Sequence, residues 1–223
     1  MKVVLFGATG MVGRSVLREC LLSPEVESVV AVGRKPVGQA HGKLQELVVA
    51  DLFDLSGVEE RLKGFDACFF CLGVSSAGMT EANYRRVTFD LTLSVAGALS
   101  RLNPGMTFVY VSGANTDSTG RGRTMWGRVK GETENALLRL PFKAAYMFRL
   151  GALLPLHGVR SRTPIYNFFY AVLGPLLPVF KAAFPNYITT SEQLGRAMIA
   201  AAGRGAPKPV LEVPDINSLG GES

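Results

Sequence analysis

The chain has 223 residues, 48% of them hydrophobic and only 19% charged, which excludes an intrinsically disordered polypeptide. At this length roughly 70% of the unfolded chain's surface is buried on folding, enough for one core, and three cysteines at unrelated spacings exclude a disulfide scaffold. The 24 Lys and Arg against 18 Asp and Glu leave a net charge of +6, but the cations are scattered apart from Arg121, Arg123 and Arg128, so nucleic acid is not an expected partner.

Short apolar runs alternate with helical patterns through the first two thirds, as parallel strands joined by crossover helices do. Lys2–Phe6 is a predicted strand, too short an apolar run for a secretory signal, so with the cysteine usage the expected location is cytoplasmic. A helix follows with Val12, Val16, Leu17, Cys20 and Leu21 on one face. Ser28–Val32 and Leu47–Ala50 are the next strands, Leu55–Lys63 a short helix, and Ala67–Leu72 a fourth strand. Thr80 caps a long helix to about Arg101, ended by Asn103-Pro104-Gly105. Thr107–Val111 is a fifth strand, Met125–Arg139 a helix and Ala144–Leu150 a sixth strand.

Beyond residue 151 the pattern changes. The stretch from Pro164 to Phe184 is strongly apolar, but Asn167, Gly174, Pro175, Pro178 and Lys181 interrupt it, which argues against a membrane-spanning helix. The favoured reading is a substrate-pocket wall, a dimer contact or both, with membrane-surface contact the lesser alternative. Ser191 is expected to cap a last helix carrying Leu194, Ala197, Met198 and Ala201, and Pro209–Val213 to form a late strand. The expected fold is α/β: a Rossmann-like, doubly wound parallel sheet in a single domain over 1–223, with residues from about 151 contributing a small C-terminal substrate cap.

Gly7-Ala8-Thr9-Gly10-Met11-Val12-Gly13 follows the first strand and opens the first helix. A tight turn, a close approach of backbone to a pyrophosphate, and a helix packed hard on the sheet all favour residues without a Cβ. The N–H groups at the helix start then face the phosphate charge. Gly7, Thr9, Gly10, Met11, Val12 and Gly13 are therefore the candidate dinucleotide cradle, against the alternative of a glycine-rich turn with no ligand.

This Gly-x-x-Gly-x-x-Gly spacing, with Thr9 before Gly10, resembles the short-chain dehydrogenase/reductase superfamily in its extended and atypical branches. The resemblance covers residues 1 to about 150 and, more loosely, the remainder. It is nearest to the small atypical members grouped with nucleoside-diphosphate-sugar epimerases, NmrA-like regulators and Tat-interacting-protein-like proteins. Arg34 and Lys35 end the second strand, where an NAD enzyme would offer Asp or Glu to the ribose 2′-hydroxyl. A guanidinium there can hold a 2′-phosphate bidentately, so NADP(H) is expected over NAD(H). Asp51-Leu52 resembles the family's pair beside the adenine, the carboxylate accepting from the amino group and Leu52 packing on the ring; Asp51 could equally cap the next turn. Cys71-Leu72-Gly73 resembles the segment that meets the adenine ribose through its backbone.

Ser112, ending the fifth strand, and Lys130, on the next helix, match the family's carbonyl-positioning serine and ribose-holding lysine. The family's catalytic tyrosine, four residues before the lysine and so on the same helical face, is here Trp126. An indole N–H donates a hydrogen bond but does not ionise near neutral pH, whereas a tyrosine beside an ammonium can give up its proton. Another group or water could supply the proton, Tyr84 and Tyr110 being the lesser candidates, or the chemistry could need only hydride transfer to an activated or quinone-like acceptor. Arg149 resembles the family's residue near the nicotinamide, or is a buried arginine paired to a carboxylate.

Cys68 and Cys71 have redox spacing but fall on opposite faces of a strand, and His41 and His157 are isolated, so neither redox chemistry nor a metal is expected. The resemblance implies an NADP(H)-dependent oxidoreductase acting on a small apolar substrate. The alternative is a non-catalytic NADP(H)-binding regulator or assembly factor; a sugar-nucleotide epimerase is disfavoured by the short chain and the missing tyrosine. A homodimer is expected through the helix from Thr80 and the helix carrying Trp126, with Leu91, Val95 and Leu99 as packing-face residues unless they cover the sheet.

Overall fold

A computed structural model describes residues 1–157 and 186–221. The strands are β1 (Lys2–Phe6), β2 (Ser28–Gly33), β3 (Leu44–Val48), β4 (Ala67–Phe70), β5 (Thr107–Gly113), β6 (Ala144–Leu150), β7 (Ala152–Leu154), β8 (Ile188–Thr190) and β9 (Val210–Leu211). Seven form one sheet in the order β3-β2-β1-β4-β5-β6-β9, every pair parallel. Two-residue alternation along β1 sends Val3 and Leu5 into one core layer and Val4 and Phe6 into the other. A sheet buried on both faces is what continuous apolar strands such as Val3-Val4-Leu5-Phe6 require.

Helix α1 (Met11–Leu22) and helix α4 (Ser191–Arg204) cover one face through Val16, Leu17, Cys20, Leu194, Ala197 and Met198. Helix α2 runs through α stretches Glu81–Arg85 and Leu91–Leu102 joined by a π turn, Arg86–Asp90. With α3 (Met125–Leu137) it covers the other face, through Val95, Leu99 and Leu137. Strand order reverses between β1 and β4, which opens a crevice at their C-terminal ends, where doubly wound sheets bind ligands.

Several boundaries depart from expectation. Strand β3 lies earlier than Leu47–Ala50, as an edge strand whose Gln45 and Glu46 hide its alternation. The short helix after it is a 3-10 turn, Ser56–Leu62. The last long helix is capped by Thr190 rather than Ser191, because the Thr190 side chain and Gln193 form a reciprocal capping box. The late strand is only Val210–Leu211, followed by an unforeseen helix α5 (Val213–Gly221) that accepts Pro214 in its first turn. The two-stranded parallel sheet β7-β8 was likewise not expected. Val95 and Leu99 are buried against the sheet with Leu91 half-buried beside them, the second of the two readings for these residues. The described part of the expected cap largely completes the sheet and its α1 layer. The apolar 164–184 segment lies outside the described residues, and among those described no helix is long and apolar enough to cross a membrane.

Candidate functional site

The glycine turn is built by excluded volume. Gly7 adopts φ +85°, and a Cβ there would stand 2.7 Å from the Cys71 carbonyl and 2.8 Å from the Leu72 nitrogen. A Cβ on Gly13 would stand 2.1 Å from the Gly7 oxygen, so α1 seats directly on the turn. The Gly10 N–H donates to the Gly7 carbonyl at 2.9 Å, closing that turn. Gly10 then caps α1 without a side chain, and no acidic residue occupies the first turn. The N–H groups beside Met11, Val12 and Gly13 therefore begin a helix with its positive end uncapped by protein charge, while Thr9 stands half-buried before them. Cys71 and Leu72 are half-buried and Gly73 exposed on the facing loop after β4.

Arg34 and Lys35 are exposed at the end of β2 and form no ion pair among the described residues. Asp51 is exposed too, and its Oδ1 accepts from the Phe53 N–H at 2.9 Å, the turn-capping alternative for this carboxylate. Leu52 corrects the expectation of a ring platform: it is 5% exposed, drawn into the core beside Leu47 and Val49. Cys68 and Cys71 pack into opposite core layers, and burial pushes both thiols well up. His157 meets Glu192, and His41 accepts from the Lys43 N–H.

At the β5–α3 edge, Ser112 and Trp126 come together. A Cβ on Gly113 would stand 3.5 Å from the Trp126 ring, so the indole lies flush with the end of β5, one residue past Ser112. Trp126 is half-buried, and its N–H has no hydrogen-bond partner among the described residues. Ser112 Oγ is 3.0 Å from Thr116 Oγ1. The single Thr116 hydroxyl proton goes to the Gly113 carbonyl at 2.7 Å, so Ser112 is the donor of that pair.

Lys130 lies one helical turn after Trp126, its Nζ 5.4 Å from the Tyr110 ring centroid. It forms no ion pair among the described residues, and burial lowers its pKa from 10.5 to about 8, partly opposed by Glu134. Glu134 is fully buried and spends itself on Arg149, whose Nε approaches its two oxygens at 3.1 and 3.2 Å. Arg149 also reaches Glu212 at 3.1 Å and the Ser118 hydroxyl. Of its two readings, Arg149 is thus the buried, carboxylate-paired arginine, with four of its five N–H donors spent on Glu134, Glu212 and Ser118. Tyr110 and Tyr84 are 1% and 2% exposed, and burial pushes both phenols up, so neither replaces the missing tyrosine.

The loop between β5 and α3 is folded around Asp117, which accepts from the Thr119 N–H and hydroxyl and from the Gly122 N–H. Those bonds, the Thr119 hydroxyl foremost, hold its carboxyl down at about 2. Arg128 ties the same loop to α2 by donating to the Gly122 carbonyl at 2.9 Å and to Glu81 at 2.7 Å. Sequence reasoning missed Thr116, Glu134 and Asp117. Glu134 had a signal, lying four residues after Lys130 on one helical face, and Asp117-x-Thr119 reads as a turn in which the aspartate caps its own loop. A cleft of about 430 Å³ lined by Arg18, Glu19, Glu192 and Arg196 lies at the far, C-terminal end of α1 and shares no residue with this site.

A family model described as the NAD dependent epimerase/dehydratase family matches residues 3–124, from β1 to the loop before α3. The cofactor class that goes with this match is a nicotinamide dinucleotide. The mitochondrial protein FMP52 of Debaryomyces hansenii is 29% identical over 208 residues, covering 91% of this chain and 88% of that protein. MoeE5, solved in complex with UDP-glucose and NAD, aligns with a TM-score of 0.68 at 20% identity, over 100% of this chain and 81% of that one. The Bordetella bronchiseptica enzyme WbmH in complex with NAD+ gives 0.67 at 15% identity, over 97% and 79%. At such identities these two structures speak for the fold alone. The cytoplasmic expectation is corrected: FMP52 proteins from several fungi carry "mitochondrial" in their names. The lack of a secretory pattern and of disulfide spacing does not single out the cytoplasm from other reducing compartments.

Proposed function

We propose that this chain, which belongs to the NAD dependent epimerase/dehydratase family, is an NADP(H)-dependent oxidoreductase that reduces a small apolar carbonyl or quinone-like substrate. The observation that carries the reading is the β5–α3 edge, where the Trp126 ring lies against Gly113, one residue past Ser112, and Lys130, without an ion pair among the described residues, stands over Tyr110. The residues present fit the cofactor: two glycines whose Cβ atoms would strike backbone, an uncapped helix start, and an Arg34 at the end of β2 that forms no ion pair among the described residues. The cofactor supplies hydride when bound. Around it, the α1 N–H groups take the pyrophosphate, Arg34 and Lys35 the 2′-phosphate, and Lys130 the nicotinamide ribose. Ser112 and the Trp126 N–H orient the substrate oxygen.

The second reading, an NADP(H)-binding regulator without turnover, is favoured by one feature, the indole that stands where the family keeps an ionising phenol. Binding titrations of NADPH and NADH, run beside NADPH consumption over a carbonyl and quinone panel, separate the two. Tight NADPH binding with turnover supports the oxidoreductase; tight binding with none across the panel supports the regulator. Cofactor choice has its own test. Arg34→Ala should weaken NADPH by about 1.5–3 kcal/mol, the range of a charge-assisted hydrogen bond, and leave NADH nearly unchanged. Equal losses for both cofactors would remove Arg34 from the 2′-phosphate.

A further inference from the structure

We infer that Lys130 is the acid of the reaction: its Nζ ammonium gives the proton that the substrate oxygen takes up, the task Trp126 cannot perform. The inference rests on the oxidoreductase reading and deepens it.

The argument is one of placement and elimination. Lys130 follows Trp126 by one helical turn, so the two side chains share the face that meets the end of β5. Its Nζ stands over the Tyr110 ring, and Tyr110 and Ser112 point to the same side of β5, two residues apart. Nζ therefore sits against the strand face on which Ser112 closes the site. Its Nζ faces an aromatic ring and forms no ion pair among the described residues, which leaves N–H groups to donate.

The other titratable groups around it are excluded one by one. From α2, Tyr84 is buried with its phenol pushed up, and from β5 Tyr110 is likewise. On α3, Glu134 is spent on Arg149 of β6, which itself stays charged at any working pH. Asp117 is ionised and turned into its own loop. Ser112 and Trp126 do not titrate near neutrality. Among the described residues, Lys130 alone has both the position and, lowered by burial to about 8, a proton that leaves near working pH.

The balance is simple. The cofactor, when bound, would supply hydride for the new C–H bond at the carbonyl carbon, and the π pair would move onto oxygen. One Nζ–H bond breaks as the O–H bond forms, giving an alcohol, oxidised nicotinamide and a neutral amine, which solvent reprotonates. The group must start protonated, so kcat holds at low pH and falls as pH rises through the Lys130 pKa.

The test uses the full chain and two readouts. Lysine labelled with 13C at Cε is titrated by NMR without cofactor, Lys130 being assigned by the resonance lost in Lys130→Arg. A midpoint near 8 is expected; a midpoint above about 10, the ordinary lysine range, overturns the inference whatever the activity. Lys130→Arg keeps a cation and donors for a ribose but never releases its proton. It should retain NADPH affinity while losing about 100-fold or more in kcat, the scale of a lost general acid, together with the fall at high pH. If Lys130→Arg turns over as fast as wild type with the same pH profile, Lys130 is not the donor and the oxidoreductase reading stands. If wild type binds NADPH and turns over no substrate of the panel, the oxidoreductase reading falls and the donor role with it.

Discussion

The two walls of the crevice, the glycine turn after β1 and the β5–α3 edge, are built by opposite means. The turn works through atoms that are missing. Gly7 and Gly13 let the Cys71 carbonyl, the Gly7 oxygen and the α1 backbone approach to distances that any Cβ would forbid. The edge works through side chains that are present and unequally matched: a buried ion pair, Glu134 and Arg149, lies one turn beyond an ammonium with no counter-ion among the described residues. The wall made of backbone is the proposed cofactor cradle. The wall made of side chains is where this chain departs, at Trp126, from the pattern it resembles, and where the proposed chemistry falls.

The largest effect should come from the buried pair. Glu134→Ala leaves Arg149 with only the half-exposed Glu212 and the Ser118 hydroxyl. Removing one partner of a buried pair costs about 3–5 kcal/mol, and Glu212 should keep the loss near the lower end. Denaturant unfolding of the variant would read it directly. Lys130 would also lose the one carboxylate that favours its charged form, so its midpoint should move below about 8. A stability loss under about 1 kcal/mol, the scale of a surface pair, would mean that the edge does not depend on burial.

Gly13→Ala should act on the other wall and leave this one alone. Its Cβ meets the Gly7–Ala8 peptide group, with atoms at 2.1, 2.6 and 2.9 Å, so α1 must lift from the turn. Overpacking of this kind costs about 1–3 kcal/mol. The sharper outcome is functional: NADPH titration should lose saturation, while the Lys130 resonance keeps its wild-type midpoint. Undiminished NADPH binding would show that the cradle lies elsewhere.

How much of this was legible in the sequence follows the same division. The strands β1, β2, β5 and β6 and the glycine turn are chain-local signals, apolar runs ended by glycine or polar residues, and they are found within a residue or two. Ser112, Trp126 and Lys130 were singled out by the family resemblance, and the structure puts the last two one turn apart on α3 and the first one residue before the end of β5. Strand β3 slipped because an edge strand with one neighbour can carry Gln45 and Glu46, and Glu46 in fact accepts from the Val37 N–H. The pair β7-β8 joins three-residue segments far apart in sequence, which no local pattern marks. Arg149's partners are illegible for the same reason: Glu134 and Glu212 reach it only once β6, α3 and the end of β9 are packed together.

The smallest effect should come from Thr116, and its sign carries the information. The Thr116 hydroxyl donates its one proton to the Gly113 carbonyl, so the Ser112 hydroxyl spends its own proton on Thr116. A serine held this way accepts hydrogen bonds from a substrate hydroxyl without change, but must leave Thr116 to donate to a carbonyl. Thr116→Val keeps the shape and removes the acceptor. The Gly113 carbonyl stays satisfied, because the Thr116 N–H also donates to it at 3.1 Å. The stability cost should then be about 1 kcal/mol, one ordinary hydrogen bond. With the Ser112 proton released, KM for a carbonyl substrate should fall by a few-fold, on the order of the same 1 kcal/mol, with kcat little changed, since the bond gained orients the ground state and transition state alike. A rise in KM would mean that Ser112 works as an acceptor, held in place by Thr116 to receive the hydroxyl of an alcohol, and that the favoured direction of this site is oxidation.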